Sequence, residues 1–174
     1  MIRLFLVLCL LAFASVTAQA QGCGSFETMT GKPGWMLVSG PGVGGPMAPV
    51  NVSPYAGWHA PIGGSSWVSV NSSRGSLPGD YTYEYTFCAC KTGNALNLSF
   101  YADNGAVVYL NGTQIFATTG SYNFTGAAKG GSYSGPAFVL GTNTLRIVVH
   151  NDGSVTGLDA VLAVKGASDG CCRK

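Results

Sequence analysis

The sequence predicts an all-β protein, a jelly-roll sandwich of two antiparallel sheets, and three stretches carry that expectation. Gly105-Ala106-Val107-Val108-Tyr109-Leu110 runs into Asn111-Gly112 and returns as Thr113-Gln114-Ile115-Phe116, which is a strand, a two-residue turn requiring φ > 0, and a second strand. Thr144-Leu145-Arg146-Ile147-Val148-Val149-His150 is rich in β-branched residues and stops at the turn formers Asn151-Asp152-Gly153. Between Tyr81 and Cys88 the chain alternates strictly. Tyr81, Tyr83, Tyr85 and Phe87 share one face of an extended chain, and Thr82, Glu84, Thr86 and Cys88 share the other.

The remaining elements follow in order. Short apolar stretches such as Trp35-Met36-Leu37-Val38 and Ser66-Trp67-Val68-Ser69-Val70 are separated by Gly- and Pro-rich loops, among them Gly40-Pro41-Gly42 and Gly44-Gly45-Pro46. Ala95 to Tyr101 forms a strand in which Leu96, Leu98 and Phe100 point inward and Asn97 outward. A loop-rich segment spans Thr118 to Gly135, and Pro136-Ala137-Phe138-Val139-Leu140 reads as a short strand. The chain closes with Gly157 to Val164, where Asp159 to Val164 has the length for one helical turn. Around nine or ten short strands imply two packed sheets.

The first twenty residues form a secretory leader: Arg3 supplies the positive start, Leu4 to Phe13 the apolar stretch, and Ala18-Gln19-Ala20 the small-x-small cleavage signal. That apolar run is too short to span a bilayer comfortably, so no membrane anchor is expected in a mature chain starting at Gln21. About 150 residues remain, enough for one core. They divide into an N-terminal extension at 21–32, the sandwich at 33–166, and a cysteine-containing tail at 167–174. Only 9% of the chain is charged. Near-neutrality argues against a nucleic-acid partner, which would need a basic face.

Cys23, Cys88, Cys90, Cys171 and Cys172 follow the leader. In an exported protein they are expected to pair, and between groups, because Cys88 with Cys90 or Cys171 with Cys172 would demand strained geometry. Five is odd, so one thiol stays free or joins a second molecule. Sequons begin at Asn51, Asn71, Asn97, Asn111 and Asn123, where chance would give roughly one or two. A eukaryotic secretory pathway would glycosylate such sites, and a bacterial one would leave them bare.

Trp67-Val68-Ser69, Gly79-Asp80-Tyr81-Thr82-Tyr83 leading to Phe87, Ala102-Asp103-Asn104, Tyr109-Leu110-Asn111-Gly112, and Gly141-Thr142-Asn143-Thr144-Leu145 ending in Val149-His150-Asn151 occur in this order. Together they resemble the galactose-binding-like jelly-roll domains, including the carbohydrate-binding modules of secreted and surface proteins. The resemblance spans Trp35 to Val164 and implies fold more securely than activity. It also implies calcium as a structural ion, with Asp103 and Asn104, or Asn151 and Asp152, supplying loop oxygens.

The residues themselves favour binding over catalysis. None of the seven acids sits in a motif that pairs it with another across a cleft, so no catalytic residue is assigned. Sugars need an aromatic ring for their C–H faces and polar groups for their hydroxyls. Trp58, His59, Tyr122 and Tyr133, with Tyr55, lie in loop-like stretches and supply both, whereas Trp35, Trp67 and the Tyr81 set read as core. The expectation is a secreted, non-catalytic domain recognising extracellular or cell-surface glycans. The alternative is a glycosylated matrix or coat subunit that self-associates through the odd cysteine.

Overall fold

A computed structural model describes residues 24–169 and Cys172; the leader expected at 1–20, Cys23 and Cys171 lie outside the described residues. The described residues form thirteen strands: β1 (Gly24–Met29), β2 (Trp35–Ser39), β3 (Val50–Val52), β4 (Trp67–Ser69), β5 (Gly75–Ser76), β6 (Gly79–Ala89), β7 (Ala95–Asp103), β8 (Gly105–Leu110), β9 (Thr113–Ala117), β10 (Lys129–Tyr133), β11 (Gly141–Asn151), β12 (Ser154–Val155) and β13 (Gly157–Asp169). All pairings are antiparallel, and the described residues contain no helix.

One layer runs β2-β6-β11-β8-β9 and the other centres on β13, flanked by β7 with β10 on one edge and by β1 and β4 on the other. β13 joins them. Its body pairs with β7, and its last residues, Ala167 to Asp169, cross to pair with Ala89 to Phe87 of β6. A strand that changes sheets makes a corner of the sandwich. Cys88 stands opposite Ser168 at that corner and is disulfide-bonded to Cys172, 84 residues on. Cys90 is disulfide-bonded as well. Pairing between cysteine groups is therefore observed for Cys88.

Alternation fills the space between the layers. Tyr81, Tyr83 and Phe87 of β6, Leu145, Ile147 and Val149 of β11, Leu98 and Phe100 of β7, and Leu158, Leu162 and Val164 of β13 are fully buried in one core. Burying each such side chain contributes about 1.5–3 kcal/mol. The hairpin forms where the sequence places it, with Asn111 at φ 50° and Gly112 at φ 82°. Both central residues of this turn type need positive φ, which matches the right-handed twist of the flanking strands.

Three local expectations are corrected. Residues 24–29, placed in an extension outside the sandwich, form β1 along the edge of β13; a strand with a half-exposed face carries little alternation and depends on a free edge for its partner. Asp159 to Val164 lies within β13, because β7 and β1 take its backbone groups from both sides. Pro136 to Leu140 is no strand. Its backbone groups go to side chains: the Ala137 N–H donates to the Tyr133 hydroxyl, the Val139 N–H to Asn143 Oδ1, and Asn143 Nδ2 to the Val139 carbonyl. Local side-chain bonds of this kind compete directly with a sheet ladder.

Candidate functional site

One end of the sandwich carries a second, aromatic cluster. Trp67 of β4 is fully buried and stacks on Trp58 at 4.2 Å between centroids. Tyr101 of β7 lies near-parallel to Trp67 at 6.2 Å and supports His59, stacked on it at 4.7 Å. Tyr55 meets Trp58 edge-on at 6.2 Å, and the Arg74 guanidinium sits 5.6 Å from the Tyr55 ring centre. A second loop joins these through a backbone bond of 2.7 Å from the His59 N–H to the Phe124 carbonyl, and Tyr122 packs edge-on against Phe124.

The arrangement has a buried layer and an exposed one. Trp58 and Tyr101 are 8% and 3% exposed, whereas Tyr55 and Tyr122 are 45% and 77% exposed; His59 is exposed too. Stacked rings below hold the loop in one position, and separate rings above meet solvent. Trp58 therefore supports the surface instead of forming it. Its indole N–H reaches Asp103 Oδ2 at 2.8 Å, and its ring covers Trp67. Tyr133 stands apart on β10, packed against Phe138. Tyr101, Phe124 and Arg74 were not singled out by sequence: Tyr101 reads as an ordinary strand residue, and Arg74 has no local signal that it reaches Tyr55.

Two buried carboxylates anchor this end. Asp159 accepts the Ile62 N–H at 2.9 Å and the Thr30 hydroxyl at 3.3 Å, and also bonds the Ser65 hydroxyl, which ties the loop before β4 to β13. Burial raises its pKa, with these hydrogen bonds opposing. Burial likewise pushes the Asp103 carboxyl up to about 6, opposed by the Trp58 bond and aided by nearby Asp152. Asp103 Oδ1 has no hydrogen-bond partner among the described residues. Each carboxylate is a structural fastening, since its neighbours are backbone amides, hydroxyls and an indole.

Most of the side-chain oxygens considered for calcium are engaged within the fold. Asn104 Oδ1 accepts the Asp152 N–H at 2.7 Å, and Asn151 Oδ1 accepts the Gly153 N–H at 3.1 Å. Asp103 Oδ2 is taken by the indole, and an Asp152 oxygen lies 3.4 Å from His150 Nε2. The Asn151 oxygen closes a turn, and those of Asn104 and Asp103 bind groups distant in sequence, whereas calcium takes six to eight oxygens converging on one point. Among the described residues no group of three or more His, Cys, Asp and Glu could hold a metal.

Fold and site together define an all-β jelly-roll sandwich with an aromatic loop end. No family model matches the sequence, and no curated protein matches it. Solved structures do. A family 35 carbohydrate-binding module from an environmental isolate superposes with a TM-score of 0.50 at 14% identity, covering 85% of this chain and 99% of that one. The family 35 module of Cellvibrio japonicus Abf62 gives 0.50 at 14% identity, with 86% and 99% covered. At that identity the likeness establishes the shared fold. No described helix is long and apolar enough to cross a membrane.

Proposed function

We propose that this chain is a secreted, non-catalytic carbohydrate-binding domain that recognises extracellular glycans through the rings at its loop end. One observation carries the reading: Tyr55, His59 and Tyr122 are exposed on two loops that a buried Trp58–Trp67–Tyr101 stack holds together. Rings fixed in place lose little entropy when a sugar face settles on them, and His59, Arg74 and the loop backbones supply polar groups nearby. The fold shared with family 35 modules supports the same reading.

The test uses the full chain on a glycan array, with titration of any ligand found. Saturable binding is expected, weakened about tenfold by Tyr122→Ala or Tyr55→Ala, the equivalent of ~1.4 kcal/mol. Binding that neither substitution weakens would remove these rings from the site. Failure to retain any glycan would remove the function.

A further inference from the structure

The five sequons look alike in sequence, and the fold separates them. Asn123 is 2% exposed, and its Nδ2 donates to the carbonyls of Gly120 and Asn104 at 2.7 and 2.9 Å. Asn111 commits Nδ2 to the Ala137 carbonyl and Asn143 Oδ1, at 2.8 and 2.7 Å. Asn71 donates to the Gly75 carbonyl at 2.7 Å while its Oδ1 accepts from Ser73. An N-linked sugar replaces one Nδ2 hydrogen with a bulky group, so it would break bonds at Asn111 and Asn123, and Asn123 has no open side for it. Asn51 and Asn97 differ. Both are exposed, and neither side chain hydrogen-bonds to any described residue.

Asn51 also lines a groove of about 650 Å³ whose walls include Pro33, Trp35, Met36 and Pro49. These are the surfaces on which the C–H face of a pyranose and an acetyl methyl group pack. Trp35 is 2% exposed and forms only the floor of the groove, so the sugar's contacts fall on Pro33, Met36 and Pro49. We propose that Asn51 bears an N-linked glycan whose first N-acetylhexosamine seats in this groove, so that the glycan covers Met36. The inference is independent of ligand recognition at the loop end, since it concerns a sugar the chain carries covalently on another surface.

Two methionines give an internal comparison. Met36 and Met47 are each 37% exposed, but only Met36 lines the groove. The full chain is secreted from a eukaryotic host, its glycosylated asparagines are mapped by mass spectrometry, and Met36 and Met47 sulfoxide formation in dilute peroxide is followed by peptide mass. Asn51 is expected to be modified and Asn123 unmodified, with Met36 oxidised several-fold more slowly than Met47. The two rates should converge in Asn51→Gln. Ser53→Ala removes the same sequon with Asn51 left in place and must give the same convergence. The proposal is overturned if Asn51 is bare in the secreted protein, or if the Met36 to Met47 ratio is the same with and without the sequon.

Discussion

Gly157 of β13 sits beneath the aromatic cluster, and a single methyl group there tests how that cluster is held. In Gly157→Ala the new Cβ would lie 2.8 Å from Trp58 Cζ3 and 3.1 Å from Trp67 Cε3, and closer still to Trp58 Cη2. Backbone movement offers no relief, because Gly157 is in register with Asp103 across the β13–β7 ladder. Trp67 is fully enclosed, so Trp58 must tilt outward. Overpacking of this kind costs about 1–3 kcal/mol. Tilting also strains the Trp58 bond to Asp103, whose other oxygen has no partner among the described residues, and an unmet buried group adds ~1 kcal/mol or more. A total of about 2–4 kcal/mol corresponds, at ~2–4 °C per kcal/mol for a chain of this size, to a Tm lowered by about 4–16 °C. Thermal unfolding reads the shift, and near-ultraviolet circular dichroism reads the stacked indoles directly. Trp58→Phe in the Gly157→Ala background should recover part of the loss, because the smaller ring leaves room for the methyl. An unchanged Tm and unchanged near-ultraviolet spectrum in Gly157→Ala would refute the reasoning.

Other consequences follow from the same contacts. The folded Asp103 carboxyl titrates near 6, above its ordinary 3.8, so between those values the folded state keeps a proton that the unfolded state has lost, and stability falls as pH rises through that window. Asp159 is shifted in the same direction; urea midpoints from pH 3.5 to 7 should decline in the native chain and decline less in Asp103→Asn. The Cys88–Cys172 bridge closes a loop of 84 residues, so Cys172→Ser should lose about 4 kcal/mol of unfolding free energy; a urea midpoint within error of the parent would count against that role. Asn143 is fully buried, donates to the Val139 and Gly141 carbonyls, and accepts from the Val139 N–H and Asn111 Nδ2. Asn143→Ala should therefore cost about 3 kcal/mol, with faster amide exchange at Val139 than in the parent.

Much of the sandwich is local information, and local information is legible in a chain. Alternation from Tyr81 to Phe87 follows from the two-residue period of a strand, and Asn111-Gly112 follows from the positive φ that a tight hairpin needs. Both hold before any tertiary contact forms. β1 was hidden because its partner is the edge of β13, more than 130 residues away. The segment from Pro136 to Leu140 misled for the opposite reason: its residues suit a strand, but Asn143 and Tyr133 claim its backbone groups first.

The site divides along the same line. Its ring-bearing loop residues Tyr55, His59 and Tyr122 stand out because aromatic side chains in Gly- and Pro-rich stretches lack the alternation that would bury them. Which of them meets solvent was decided in three dimensions, where Asp103 of β7 takes the Trp58 indole and Trp67 closes its face. The sequons show the division most plainly. Asn-x-Ser/Thr is a local pattern, so sequence by itself finds all five equally. Only the tertiary structure determines that Asn123 is enclosed and bonded while Asn51 stands open, because the availability of an amide nitrogen depends on neighbours brought from elsewhere in the chain.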